Sequence, residues 1–137
     1  MQKKSVVNRQ IENIYPLTYL QEGMLYHYML DKESTNYILQ TVYTLNKSMD
    51  DAKAETALSI LALRNAALRT CILYENIEKP HQVVLRERKL EYTRIDFSAM
   101  EKEQSEIALQ KCLSEDVKKG FDLQRDPLMR VIHILLP

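Results

Sequence analysis

Apolar side chains recur along the chain with two different periods, and these periods predict its helices and strands. Leu20, Met24 and Tyr28 lie four residues apart, which is typical of one face of an amphipathic helix. Thr18 precedes this face and Gln21 follows three residues later, a capping-box pattern in which each side chain bonds the other's backbone N–H. We therefore expect a helix that starts at Thr18.

Further along, the period changes to two wherever strands are expected. In residues 36–46, one set of alternating positions holds tyrosine, leucine and threonine, and the other holds Ile38, Gln40, Val42 and Thr44. This pattern favours a central strand with both faces mostly apolar. The predicted elements in chain order are helix 18–31, strand 36–46, helix 51–69, strand 70–77, strand 81–86, strand 90–97, helix 99–119 and strand 127–136. A turn at Lys79-Pro80 would join the strands 70–77 and 81–86 in a hairpin. Asp50 or Asp51 would cap the second helix, and Gly120 would end the third. This order predicts an α/β fold in which helices cover a mixed sheet.

Composition excludes several classes of partner. The 137 residues provide for one domain, and 19 basic side chains balance 19 acidic ones, so no global field favours nucleic acid. The chain holds no apolar run of the ~18 residues that a membrane span needs, and Met1 is not followed by a secretory signal. We expect a bacterial cytoplasmic protein with no nucleic acid or membrane partner.

The cysteines and histidines predict no metal site. Cys71 and Cys112 are far apart and fit no ligand spacing, so we expect two free thiols in or near the core. His27 and His81 have no cysteine or carboxylate pattern around them and are expected to be surface or packed imidazoles.

Three segments carry a specific signature. Residues 17–27 read LTYLQEGMLYH, residues 64–70 read RNAALRT, and residues 120–131 read GFDLQRDPLMRV. In this order they resemble the first core motif, the second core motif and a later strand entry of the condensation domains of non-ribosomal peptide synthetases. The resemblance implies one lobe of the chloramphenicol acetyltransferase-like fold, cut from a larger domain.

The resemblance also implies roles for particular residues. In the family, the first core motif lies near the tunnel that receives the substrates. The residues that correspond to it here are Gln21, Glu22, Gly23, Met24, Tyr26 and His27. A glycine inside a helix costs about 1 kcal/mol relative to alanine, so we expect Gly23 to allow close approach of a helix or substrate. The residues Gln21 to Met24 resemble the variant of this motif found in domains that accept a donor peptide ending in a D-residue.

Arg64, Leu68 and Arg69 correspond to the second core motif, whose role is structural. The resemblance implies that Arg64 helps to hold the aspartate of the catalytic motif by an ion pair. From the residues alone, an ordinary position near a helix end explains both arginines equally well. There their positive charges interact favourably with the helix dipole, and their side chains extend to water.

The catalytic motif of the family, His-His-x-x-x-Asp-Gly, is missing. The chain contains only His27, His81 and His133, none beside another histidine, and in the family the motif lies beyond the position of Pro137. We therefore predict no catalytic residue within this chain and no activity of the chain alone.

Residues 1–14 suggest either a docking segment or a flexible leader ahead of a domain at 15–137. By resemblance, a docking segment would bind a carboxy-terminal helix of an upstream synthetase through apolar and basic side chains. These residues would be Lys3, Lys4, Val6, Val7, Arg9 and Ile11. A leader is the ordinary expectation for a terminus.

Three functional hypotheses follow. In the first, the complete domain joins peptidyl and aminoacyl thioesters, which carrier proteins present on phosphopantetheine arms, and holds no cofactor itself. This requires the remaining carboxy-terminal lobe as a partner. In the second, the chain is a non-catalytic docking module, and in the third it is an unrelated small α/β domain.

Overall fold

The computed structural model describes residues 10–137 as a mixed α/β structure, which is the predicted fold class. The elements in chain order are strand β1 (Ile11–Pro16), helix α1 (Tyr19–Leu30), helix α2 (Asp51–Arg64), a 3-10 helix (Ala66–Arg69), strand β2 (Thr70–Leu73), strand β3 (His81–Leu85), strand β4 (Glu91–Asp96), helix α3 (Lys102–Lys119) and strand β5 (Arg130–Leu135).

The strands of the described region form two sheets. One is antiparallel in the order β1-β3-β2, and the other is a parallel pair of β4 and β5. The predicted hairpin is confirmed, because Cys71 of β2 lies opposite Val83 of β3. Strand β1 was not predicted, since Ile11, Ile14 and Tyr15 do not alternate regularly with polar residues. It lies at the edge of its sheet and ends at Pro16, a position where a missing N–H is tolerated.

The prediction of a central strand at residues 36–46 is wrong. This segment contains no regular strand, and the side chains of Leu39 and Tyr43 are 92% and 81% exposed. Tyr37 has a φ of 67°, in the left-handed region, which interrupts extended backbone. The alternating pattern favours a strand only where a neighbouring strand supplies backbone partners, and no strand of the described region pairs with this segment.

The helices begin and end where nearby side chains and backbone conformations allow capping. The capping box is confirmed, because Thr18 N–H donates to Gln21 Oε1 at 2.9 Å and Gln21 N–H donates to Thr18 Oγ1 at 3.3 Å. Asp50 accepts from the N–H of Lys53 and so caps α2, and Gly120 ends α3 with a φ of 58°. The second helix stops earlier than predicted, because Asn65 is extended and the chain then turns as a 3-10 helix.

The apolar core is small and lies around the antiparallel sheet. Its buried side chains are Leu17, Leu25, Ala62, Cys71, Val83, Val84 and Leu90. On α1, Leu20 belongs to the predicted apolar face but is 75% exposed, and Met29 is 55% exposed. On α3, Ile107 is likewise exposed, whereas Ser105 is buried. Periodicity therefore located the helices correctly but assigned part of their inner faces wrongly.

A buried ion pair fastens α3 to β5. The Arg130 side chain is 6% exposed, and its Nε donates to Asp116 Oδ1 at 2.5 Å. Its Nη1 donates to the carbonyl of Gly120 at 2.6 Å, and the guanidinium lies 4.3 Å from the centre of the Phe121 ring. Burial raises the pKa of Asp116, but hydrogen bonds from Arg130 and Gln40 outweigh it, so this pKa is below its ordinary value.

We expect Asp116→Asn to lower the free energy of unfolding by about 1–3 kcal/mol at pH 7, because Arg130 is left buried with a weaker partner. A depressed carboxyl pKa contributes stability above the unfolded value of about 3.9, and this contribution is lost as pH falls through the folded value. The difference from the unsubstituted chain should therefore shrink below about pH 4. Urea unfolding followed by circular dichroism measures it.

Glu115→Gln is the matched control, because Glu115 is exposed and only 3.8 Å from Lys111 in a surface pair. It should change stability by less than about 0.5 kcal/mol. An equal effect of the two substitutions would contradict the assigned role of the Asp116–Arg130 pair.

Candidate functional site

Gln21 anchors helix α1, which carries the first motif. Besides capping the helix, its Nε2 lies 3.4 Å from Oε1 of Gln82 on β3. Gln82 in turn donates from Nε2 to the carbonyl of Pro16 at 3.1 Å. Leu25 is the buried residue of this helix, and Met24 is half-buried. The inner face of the motif thus fixes α1 against the antiparallel sheet.

The other motif residues of α1 face outward. Glu22, Gly23 and His27 are exposed, and the Tyr26 side chain is 62% exposed. The expected close approach at Gly23 is not found within residues 10–137, where a Cβ added to it would meet no atom within 4 Å. The His27 ring lies 5.9 Å from the ring of Tyr26 and 6.1 Å from that of Tyr37. These residues therefore form an exposed surface of α1.

Arg69 is the buried arginine of the second motif. Its side chain is 7% exposed, and Nη1 donates to Glu12 Oε2 at 2.6 Å. Nε donates to the carbonyl of Ala62 at 2.9 Å, and Nη1 also contacts the carbonyls of Leu85 and Arg86. A planar guanidinium suits such a fork of acceptors. Arg69 therefore joins the end of α2 to both β1 and β3.

Arg64 has a different environment from Arg69. It lies in the last turn of α2 with an exposed side chain, while Leu68 in the 3-10 helix is half-buried. The break at Asn65 turns the chain between the two arginines, so only Arg69 faces the interior. Sequence spacing left both arginines equivalent, and the structure separates them.

A polar cluster at the other end of α2 was missed by sequence reasoning. Asp51 Oδ1 accepts from the Tyr92 hydroxyl at 2.6 Å and lies 2.7 Å from His133 Nδ1. Arg94 Nε is 3.5 Å from Asp51 Oδ2. These residues come from α2, β4 and β5, and no sequence spacing relates them. The only signal was Asp51 itself, which the pattern assigned to helix capping.

The electrostatics of this cluster indicate a structural role. Hydrogen bonds from Tyr92 and His133 hold the pKa of Asp51 below its ordinary value. Burial, together with the hydrogen bond to Asp51, raises the pKa of Tyr92 to about 12. The phenol therefore stays protonated at neutral pH and acts as a hydrogen-bond donor rather than a base or nucleophile. The cluster joins the start of α2 to β4 and β5.

The described residues offer no metal site. No group of three His, Cys, Asp or Glu side chains within residues 10–137 is placed to hold an ion. Cys71 is buried and Cys112 half-buried, both as free thiols, and burial raises the pKa of Cys112. His81 Nδ1 lies 2.8 Å from the carbonyl of Lys79. In this part of the chain, no helix has the length and apolar character to cross a bilayer.

Most of the predicted docking residues lie outside the described residues. These are Lys3, Lys4, Val6, Val7 and Arg9. Ile11, the sixth, begins β1 and pairs with Leu85 of β3.

Comparison with known proteins gives a family match. Residues 11–135 match the family model described as "Condensation domain". The chain is 38% identical over 120 residues to bacitracin synthase 3 of Bacillus licheniformis, covering 88% of this chain and 2% of that protein. It is 37% identical over 121 residues to gramicidin S synthase 2 of Brevibacillus brevis, covering 88% of this chain and 3% of that protein. The chain thus spans a small fraction of these relatives.

Solved structures support the fold. The starter condensation domain of the rhizomide synthetase RzmA aligns with a TM-score of 0.71 at 17% identity, covering 92% of this chain and 30% of that one. The four-domain nonribosomal peptide synthetase AB3403, bound to AMP and glycine, aligns with a TM-score of 0.71 at 18% identity. That alignment covers 91% of this chain and 9% of the other. The chain therefore has the fold of part of a condensation domain.

We expect Arg69→Ala to lower the free energy of unfolding by about 2–4 kcal/mol, because the carbonyls and the Glu12 carboxylate all lose their donor. Arg64→Ala is the matched control from the same motif and should change it by less than about 0.5 kcal/mol, since Arg64 is exposed. Urea unfolding of both variants at pH 7 measures the difference. Comparable losses would contradict the division of roles.

Proposed function

The chain belongs to the condensation-domain family, and we propose that it is the amino-terminal portion of a domain that forms peptide bonds in a non-ribosomal peptide synthetase. The family match over residues 11–135 carries this proposal. It includes both core motifs and the strand entry at residues 120–131, which occur in the expected order on one chain.

In the proposed reaction, the amine nitrogen of a carrier-bound aminoacyl thioester attacks the carbonyl carbon of a carrier-bound peptidyl thioester. The C–N bond forms and the C–S bond breaks. The phosphopantetheine thiol of the donor carrier leaves and, in the overall balance, takes up the proton that the amine loses. The histidine of the family's catalytic motif would orient or deprotonate this amine, and it is not among these 137 residues.

The residues of this chain contribute position rather than proton transfer. Gln21 fixes α1 to the sheet while Gly23, Tyr26 and His27 remain exposed, an arrangement that suits one wall of a substrate path. Arg64 is exposed at the end of α2, so its guanidinium suits an ion pair with the aspartate of the catalytic motif.

Two finer assignments belong to the same proposal. The residues Gln21 to Met24 match the variant that accepts a donor peptide ending in a D-residue, which we propose as the donor class. The residues ahead of β1 combine basic and apolar side chains, which suits an acidic, amphipathic helix at the carboxy terminus of an upstream synthetase.

We expect the chain alone to give no peptide product above background when it is incubated with both loaded carrier proteins, because the catalytic motif is absent. The same chain fused to the remainder of a condensation domain should give product. Mass spectrometry of the donor and acceptor carriers measures both. Turnover by the chain alone would contradict the first expectation, and an inactive but folded fusion that still binds an upstream tail would favour a docking module.

In that complete domain, we expect Arg64→Ala to slow condensation by about tenfold or more, a loss of about 1.4 kcal/mol in transition-state stabilisation. In the 137-residue chain alone, the same substitution should leave the melting temperature nearly unchanged, because Arg64 is exposed there. Arg125→Ala, at another exposed arginine, is the control and should leave the rate unchanged. A normal rate in Arg64→Ala would contradict the proposed ion pair.

A further inference from the structure

Helix α2 is joined to the β4–β5 pair through a single carboxylate, that of Asp51. Its Oδ1 accepts from the Tyr92 hydroxyl at 2.6 Å and lies 2.7 Å from His133 Nδ1, and its Oδ2 lies 3.5 Å from Arg94 Nε. Within residues 10–137, every side-chain hydrogen bond and ion pair between α2 and these two strands involves Asp51. The polar attachment of this helix to the parallel sheet therefore depends on one side chain.

Apolar burial along α2 is slight. The buried residue of this helix is Ala62, which lies near the other end, where its carbonyl accepts from Arg69. Ile60 and Leu63 are 48% and 65% exposed. Hydrogen bonds to an ionised group are stronger than neutral ones, so the contacts of Asp51 are the interactions that fix the start of α2 on the sheet.

The contact between Asp51 and His133 also fixes where the imidazole carries its hydrogen. An ionised carboxylate only accepts, so the hydrogen between Oδ1 and Nδ1 belongs to His133. The Tyr92 oxygen lies 3.1 Å from the same nitrogen, while its own proton is donated to Asp51. The His133 side chain is 11% exposed, so water has little access to this bond. The three side chains thus hold one another in a single arrangement.

The other end of α2 carries Arg64, roughly 20 Å from Asp51 along the helix axis. A helix moves as a rigid element over this length, so a shift of its start on the sheet also moves its end. In the proposed function, Arg64 pairs with the aspartate of the catalytic motif, which in the family follows β5 beyond the position of Pro137. One end of α2 is therefore held by β5, and the other meets the motif that follows β5.

We propose that Asp51, Tyr92 and His133 are positioning residues for condensation. By holding α2 against β5, they set the distance between Arg64 and the catalytic motif, and they contact no substrate themselves. The inference rests on the proposed function and deepens it. A displacement of about 1 Å at a catalytic group can slow a reaction by about 100-fold, so a small shift of α2 is sufficient for an effect on the rate.

A cycle of single and double substitutions tests this in the complete domain, in which the chain is fused to the remainder of a condensation domain. We expect Asp51→Ala to slow condensation by at least about tenfold, measured by mass spectrometry of the carriers. In a domain that already contains Arg64→Ala, it should slow the reaction by less than about twofold, because its effect is transmitted through Arg64. Losses that multiply independently would overturn the proposal.

Two further variants distinguish positioning from a general loss of stability. Asp51→Asn keeps an oxygen that accepts from Tyr92 and His133, so it should recover most of the rate lost in Asp51→Ala. Glu55→Ala is the matched control, because it removes an exposed carboxylate from the same helix, 3.8 Å from Lys89, and should leave the rate unchanged. No recovery in Asp51→Asn, or an equal loss in Glu55→Ala, would contradict the positioning role.

Tyr92→Phe provides the test if Asp51→Ala does not fold, because it removes one hydroxyl from β4 and leaves α2 chemically unchanged. In the 137-residue chain, amide hydrogen exchange in the first half of α2 should become roughly tenfold faster, while exchange in β3 stays the same. Tyr43→Phe, at a tyrosine that is 81% exposed, is the control and should change neither. Unchanged exchange of α2 in Tyr92→Phe would show that the cluster does not hold the helix.

The result is separable from the test of function. A folded, unsubstituted domain that makes no product would contradict the proposed reaction, whereas the exchange of α2 amides would still decide whether the cluster holds the helix. A domain that makes product, but in which Asp51→Ala and Arg64→Ala act independently, would leave the reaction intact and contradict the positioning role.

Discussion

The two sheets of this protein depend on polar contacts at the opposite ends of helix α2. At its start, Asp51 accepts hydrogen bonds from the β4–β5 pair, and at its end Arg69 reaches β1 and β3 from the adjoining 3-10 helix. The apolar core is small, so hydrophobic burial by itself leaves the relative position of the sheets weakly determined. Directional bonds from buried or half-buried groups supply that constraint.

The motif residues divide into those that hold the structure and those that remain open. Gln21 and Arg69 direct their hydrogen bonds to backbone and side-chain partners within the chain. Gly23, Tyr26 and Arg64 are exposed and available to meet something outside it. This division is compatible with the proposed function, in which these residues provide geometry and exposed surfaces rather than a titrating centre.

Within residues 10–137, one edge of β5 has no strand partner and much of the segment at 36–46 is exposed. An unpaired strand edge is a template for further pairing. The helices α2 and α3 already hold β5 on both faces through His133 and Arg130.

Local chemistry allowed the sequence to determine the helices, their caps, the β2–β3 hairpin and the family, because capping, periodicity and contiguous motifs depend on residues close along the chain. The order of the elements also predicted the fold class. The sequence did not determine that residues 36–46 form no strand, that Arg69 rather than Arg64 is buried, or that Asp51, Tyr92 and His133 meet. Those facts depend on residues tens of positions apart being brought together, and only the tertiary structure specifies which distant groups become neighbours.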